Sequence, residues 1–213
     1  EVVGGIDPSV LEEIPSIHRS EVIVVDGGST DGTAEIALEH GAMVLTETIR
    51  GYGRACAAGV DAATGEVCVF LDADGADDPS YIPQLYQSLR SESADLVLGS
   101  RLAAGLASGV MPWHQRAGNQ LATSLINQLY GCSLTDLSPM RAVNREKLAA
   151  LRMREMTYGW PTEMIVKAAK ANWAILELPV VYRARFAGQS KISGTLHGSF
   201  LAAYHIVATI FRS

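Results

Sequence analysis

Glu66-Val67-Cys68-Val69-Phe70-Leu71-Asp72-Ala73-Asp74-Gly75 decides the fold. The unbroken apolar run Val67–Leu71 describes a strand buried on both faces, because a half-exposed strand would alternate apolar and polar residues. It closes on a carboxylate, and Glu21-Val22-Ile23-Val24-Val25-Asp26 does the same. Helices are expected over Ala34–His40, Gly53–Ala63 and Pro79–Arg90, the last with proline near its first turn. Further strands are expected over Met43–Thr46 and Asp95–Gly99. This alternation predicts an α/β protein: a mostly parallel open sheet with helices on both faces. Ligands of such sheets bind beyond the carboxyl ends of the strands, where Asp26 and Asp72 lie.

The composition fits one domain over residues 1–213, with 48% hydrophobic and 19% charged residues, enough apolar material for a full core. Cys56, Cys68 and Cys132 are too few for a disulfide framework or a zinc cage and read as reduced core thiols. A net charge of −6 argues against a nucleic-acid binder. The charge is divided, with −13 over residues 1–140 and +7 over residues 141–213. That asymmetry suggests a cation site in the first part and an anion or membrane surface in the second. No signal peptide is seen, and no uncharged apolar run reaches the roughly 18 residues of a membrane span. A cytoplasmic location is expected.

The second half is organised differently. Ala103–Pro112 is a small-residue loop with the character of a lid. Trp113–Tyr130 carries Leu121, Leu125 and Leu129 at helical spacing. A strand is expected over Met140–Asn144, helices over Arg145–Leu151 and Pro161–Ala171, and a strand over Ala174–Tyr182. The last apolar stretch, Leu196–Phe211, has no Asp, Glu, Lys or Arg. It predicts a helix buried against the sheet or a second copy of the chain, or lying in a membrane interface. At the other end, a short helix is expected around Val10–Ile14.

Two carboxylates one residue apart at a strand end, Asp72 and Asp74, can share a hard divalent cation such as Mg2+ or Mn2+. In Asp26-Gly27-Gly28-Ser29-Thr30-Asp31-Gly32-Thr33, the carboxylate can accept from a ribose or base while glycines admit the ligand to the backbone. The stretch is neither a phosphate-binding P-loop nor a dinucleotide G-x-G-x-x-G. The histidines form no ligand spacing, and no serine or cysteine stands in a nucleophile elbow.

Taken together, Asp26–Thr33 and Asp72-Ala73-Asp74-Gly75 resemble the family 2 glycosyltransferases of GT-A fold. Further matches follow in order: Arg50-Gly51-Tyr52-Gly53-Arg54-Ala55, Gly99-Ser100-Arg101, Arg116-Ala117-Gly118-Asn119 and Thr135-Asp136. Arg185-Phe186-Ala187-Gly188-Gln189-Ser190-Lys191 is similar to a stretch of the polyprenyl-phosphate (dolichyl-phosphate) mannose and glucose synthases. The resemblance implies a nucleotide-sugar half over residues 21–100, an acceptor half over 101–195 and a C-terminal apolar helix over 196–213. Asp26, Gly28, Ser29, Gly53, Asp72 and Ala73 would hold the nucleotide sugar, and Asp72 and Asp74 the metal. Asp74, Asp136 and Arg185 are implied in catalysis, with Arg101, Arg116, Arg185, Ser190 and Lys191 on the phosphates of donor or acceptor. Arginine suits that task because its planar fork binds phosphate oxygens in pairs.

Some positions depart from the family. Its first strand, which ends in a Pro-x-x-Asn-Glu turn, has no counterpart in the chain. Gly27 stands where many relatives have a second Asp, Ala76 where such synthases often place Gln, and Ser138-Pro139 where a glycine is usual.

The expected activity is inverting, metal-dependent transfer of glucose or mannose from a UDP- or GDP-hexose to a polyprenyl phosphate, at the cytoplasmic membrane surface. An acceptor phosphate is already anionic and needs no general base. A sugar-hydroxyl acceptor would need Asp136 or Glu163 to take its proton. The rival readings are a non-catalytic nucleotide-sugar-binding domain and a nucleotidyltransferase. A homo-oligomer is compatible with the apolar C-terminal helix.

Overall fold

The computed structural model describes residues 7–15, 20–91, 94–105, 111–183 and 196–213, with side chains in the final helix described from Tyr204 onward. Residues 106–110 of the expected lid lie outside the described residues.

The order of elements follows the sequence pattern. Helix α1 (Pro8–Glu13) starts on Asp7, whose side chain accepts the Ser9 N–H at 3.0 Å, with Pro8 in the first turn. Strand β1 (Ile23–Asp26), helix α2 (Thr33–Glu39), strand β2 (Met43–Thr46), helix α3 (Tyr52–Ala62) and strand β3 (Val67–Phe70) then alternate. A short 3-10 turn (Pro79–Tyr81) leads into α4 (Ile82–Arg90) and β4 (Leu96–Ser100). The rest of the chain contributes α5 (Trp113–Tyr130), β5 (Arg141–Asn144), α6 (Arg145–Ala150), α7 (Trp160–Lys170), β6 (Ile175–Pro179) and α8 (Leu196–Arg212).

Strands β1 and β2 pair in parallel, and a second sheet has the order β3-β5-β4-β6. Strands β3, β4 and β6 run in one direction. Strand β5 runs antiparallel to both its neighbours, β3 and β4. Among the described residues, the two sheets are not hydrogen-bonded to each other, and the break falls between the two carboxylate-ended strands. Glu21 spans that break at the start of β1. Its carboxylate accepts from Thr64 N–H at 2.7 Å, Thr64 Oγ1 at 2.9 Å and Gly65 N–H at 2.9 Å.

Strand β4 is the centre of the core, buried along its whole length. Its pleat sends Leu96 and Leu98 to one face, with Ile126 of α5 and Trp160, Met164 and Ile165 of α7. Val97 faces the other side, with Ile82 and Leu85 of α4, Met140, Ala142 and Val180. An apolar run flanked by helices on both faces is the arrangement the unbroken sequence pattern requires.

Helix α8 packs on α5 and α7. Ile210 is fully buried and Ile206 packs against the same core, while the Tyr130 hydroxyl donates to the Ile210 carbonyl. Tyr204 and Phe211 stay exposed. Among its described side chains, the helix therefore divides its apolar surface between the core and solvent.

Candidate active site

The turn after β1 is built by its own carboxylate. Asp26 is buried, and its side chain accepts the Gly28 N–H at 3.0 Å and the Ser29 N–H at 3.0 and 3.2 Å. These bonds set Gly28 in the left-handed region at φ 83°, a conformation that favours glycine. A narrow cleft lined by Val25, Gly27, Glu47, Ile49, Arg50, Gly51 and Ala55 opens beside this turn.

Gly53 lies in the first turn of α3. It is buried, and a Cβ on it would lie 2.4 Å from the Glu155 carbonyl oxygen. Its missing side chain serves a backbone contact within the chain.

At the end of β3, the Asp72 N–H donates to Asp77 at 2.9 Å, Asp74 accepts the Ala76 N–H at 3.0 Å, and the Ala73 carbonyl accepts the Asp7 N–H at 3.0 Å. Asp78 caps the following 3-10 turn through Ser80 N–H at 3.0 Å, as an acidic cap cluster should. Asp77 does not. It is 2% exposed, and its Oδ1 has no hydrogen-bond partner. Burial, then the neighbouring Asp72 charge, pushes its carboxyl up to about 7.

Arg101 and Asp136 face this cluster from β4 and the loop before β5. The Asp136 carboxylate accepts from Arg101 Nε at 2.8 Å, Nη2 at 2.7 Å and the Arg101 backbone N–H at 2.9 Å. Burial works against the guanidinium charge, but the Asp136 bonds and charge more than offset it and hold its pKa above the ordinary value. The Tyr182 ring covers the same guanidinium at 5.1 Å.

Glu177 of β6 holds the other side of this loop. It accepts from Thr135 N–H and Oγ1 and from Asp136 N–H at 2.8–3.0 Å. Arg116 is exposed and lines an open groove of about 430 Å³ with Leu102, Thr135 and polar residues of α5. The two arginines thus approach the Thr135-Asp136 loop from different elements. Arg185, Ser190 and Lys191 lie outside the described residues.

Glu163 sits in the first turn of α7, 3% exposed. It accepts the Arg154 and Glu155 N–H groups and pairs with Lys167 at 2.8 Å. Arg141 is fully buried and donates to the carbonyls of Ser138, Pro139 and Pro161. Burial pushes its pKa down.

Sequence reasoning does not single out Asp77, Arg141, Glu177 or Tyr182 as site residues. A signal is present for two of these: Arg141 opens β5 and Glu177 sits inside β6, each the lone charge of its strand. Such residues persist in a sheet only when the fold gives them partners.

The fold and site define a nucleotide-sugar enzyme of GT-A architecture, and the model of glycosyl transferase family 2 matches residues 9–151. The chain belongs to that family and is a glycosyltransferase. An uncharacterized glycosyltransferase of Mycobacterium tuberculosis is 41% identical over 196 residues, covering 92% of this chain and 87% of that protein. A dolichyl-phosphate hexose transferase of Haloferax volcanii is 37% identical over 86% of this chain and 79% of its own length. An undecaprenyl-phosphate mannosyltransferase of Micrococcus luteus is 31% identical over 86% and 80%, respectively. Among solved structures, glucosyl-3-phosphoglycerate synthase of Mycobacterium tuberculosis, in complex with Mn2+, UDP-glucose and phosphoglyceric acid, superposes with a TM-score of 0.76. The two are 25% identical, with 96% of this chain and 73% of that one covered.

Proposed function

We propose that the protein transfers a hexose, with inversion, from a UDP- or GDP-hexose to the phosphate of a polyprenyl-phosphate lipid. One observation carries the choice of acceptor. Both carboxylates that a hydroxyl acceptor would need as base are engaged, Asp136 by Arg101 and Glu163 by Lys167 and two amides. A phosphate monoester arrives as an anion and requires neither. The kinship with transferases named for dolichyl and undecaprenyl phosphate supports the same acceptor class.

Asp26, with the Gly28–Ser29 turn, binds the nucleoside beside the Val25–Gly51 cleft. Arg101 and Arg116 orient phosphate groups. Asp72 and Asp74 would hold a divalent cation, Mg2+ or Mn2+; the buried, unpartnered Asp77 oxygen behind them suits a site with positive charge in front of it. Among the described residues, no three His, Cys, Asp or Glu side chains are grouped to hold a metal on their own. When bound, such a cation neutralises charge on the departing diphosphate.

Among the described residues, no helix is long and apolar enough to cross a membrane. The exposed Tyr204 and Phe211 of α8, together with the +7 charge of residues 141–213, support peripheral attachment to an anionic bilayer surface. The specific observation favouring a second reading is the likeness to glucosyl-3-phosphoglycerate synthase, which suggests a small phosphorylated hydroxy acid as acceptor. Release of free nucleoside diphosphate, assayed with a polyprenyl phosphate and with 3-phosphoglycerate, separates the two. Turnover with 3-phosphoglycerate alone would overturn the lipid acceptor.

A further inference from the structure

The amino end of α3 has an unusual neighbour. Its cap residue, Gly51, has no side chain to accept the first helical N–H groups. The loop before α7 supplies carbonyls instead: Thr157 O accepts the Gly53 N–H at 3.2 Å, and Met156 O accepts the Arg54 N–H at 3.1 Å. The approach is so close that a Cβ on Gly51 would lie 2.3 Å from Met156 O. Arg50, Gly51 and Ala55, which flank this contact, line the cleft beside Asp26.

This loop has no strand or helix of its own to hold it: the Glu155 carboxylate accepts the Thr157 N–H at 2.8 Å within the loop, and Glu163 holds the turn that leads into it. Glu163 accepts the Arg154 N–H at 2.9 and 3.0 Å and the Glu155 N–H at 2.7 Å, turning the chain so that the next two carbonyls point at α3. Lys167, one turn along α7, fixes the carboxylate at 2.8 Å. The pair is shielded, with side-chain exposures of 4% for Glu163 and 19% for Lys167.

We infer that Glu163 is a positioning residue for the donor nucleotide, acting through the 154–157 loop on the Arg50–Gly51 wall of the nucleoside cleft. It rests on the proposed reading that this cleft holds the nucleoside. The role differs in kind from proton transfer to an acceptor, because Glu163 spends its lone pairs on amides and Lys167.

Titration calorimetry with UDP and with GDP, each with Mn2+, tests the inference on the full chain. Glu163→Ala should weaken binding of the preferred nucleotide by about tenfold, equivalent to about 1.4 kcal/mol. Glu163→Gln keeps a carbonyl oxygen for the amides and should recover most of that loss. Gly53→Ala strikes the same contact from the α3 side. If both act through the loop, the double variant should bind no more weakly than the weaker single variant.

Unchanged affinity in Glu163→Ala, or fully additive losses in the double variant, overturns the inference. Should Glu163→Ala fail to fold, Gly53→Ala decides the question, because its Cβ displaces the same loop and parental affinity in it overturns the inference. Asp26→Ala, titrated alongside, keeps the two levels apart. If it leaves affinity intact, or if the parent chain binds neither nucleotide, the reading of the cleft fails and takes the inference with it. If Asp26→Ala weakens binding and the Glu163 variants do not, the cleft stands and only the positioning role falls.

Discussion

Arg101 and Asp136 lie 35 residues apart in sequence and meet in a two-bond clasp, Nε at 2.8 Å and Nη2 at 2.7 Å, with Asp136 fully buried. The Arg101 backbone N–H adds a third bond to the same carboxylate. The clasp fixes the end of β4 to the loop before β5, so it bears on stability as well as on the proposed phosphate contact of the arginine. Asp136→Ala leaves a guanidinium only 13% exposed without its counter-charge and should cost about 3–5 kcal/mol. Urea unfolding of parent and variant measures the loss, and a parental midpoint would refute it.

The metal prediction concerns Asp74. Asp74→Ala should abolish the Mn2+-dependent gain in nucleotide affinity and lower transfer to background, while leaving the melting temperature close to the parent's. EDTA should do the same to the parent. Full transfer in EDTA would remove the cation from the reaction.

Glu21 makes stability depend on pH. Bonds from the Thr64 backbone, the Gly65 backbone and the Thr64 hydroxyl hold its carboxyl below the usual range. The native state binds this proton less readily than the unfolded chain, so the contribution is complete above about pH 4.5 and is lost as pH falls through the lowered native value. Glu21→Gln should therefore melt below the parent at pH 7, and the gap should close near pH 3. A gap of equal size at both values would contradict the assignment.

Burial pushes the Cys56 thiol up to about 12. At pH 8 the thiolate fraction is then on the order of one in ten thousand, and alkylation requires the thiolate. Mass spectrometry after iodoacetamide treatment of the native protein should find Cys56 unmodified, whereas in urea it should react fully. Rapid native labelling would mean the start of α3 opens readily.

Membrane attachment can be tested without disturbing the core. Tyr204 and Phe211 are 61% and 65% exposed, so changing both to serine should leave the melting temperature unchanged. Co-sedimentation with anionic vesicles should fall severalfold. Removing the chain after Thr195 is a poorer test, because it also takes away Ile210, which is fully buried in the core. Equal sedimentation of the parent and the doubly substituted chain would assign the exposed face to something other than lipid.

Short-range physics is legible in the sequence. The unbroken apolar runs mark β1 and β3, and each run closes on a carboxylate of the proposed site. The Asp26 turn and the Asp78 cap are bonds across two or three residues, and such bonds follow from residue type and spacing alone. What sequence could not supply was the partner of each charge. Asp136 and Glu163 were equivalent as candidate bases until the fold engaged one with Arg101 and the other with Lys167 and a loop. Glu177 reaches the Thr135-Asp136 loop across 42 residues. The reversal of β5 is likewise set by its pairing between β3 and β4, because a four-residue strand carries no local signal of its direction. Burial leaves a local trace in the chain, but which groups meet inside is set by topology, because a desolvated charge takes whatever partner the packed elements bring within about 3 Å.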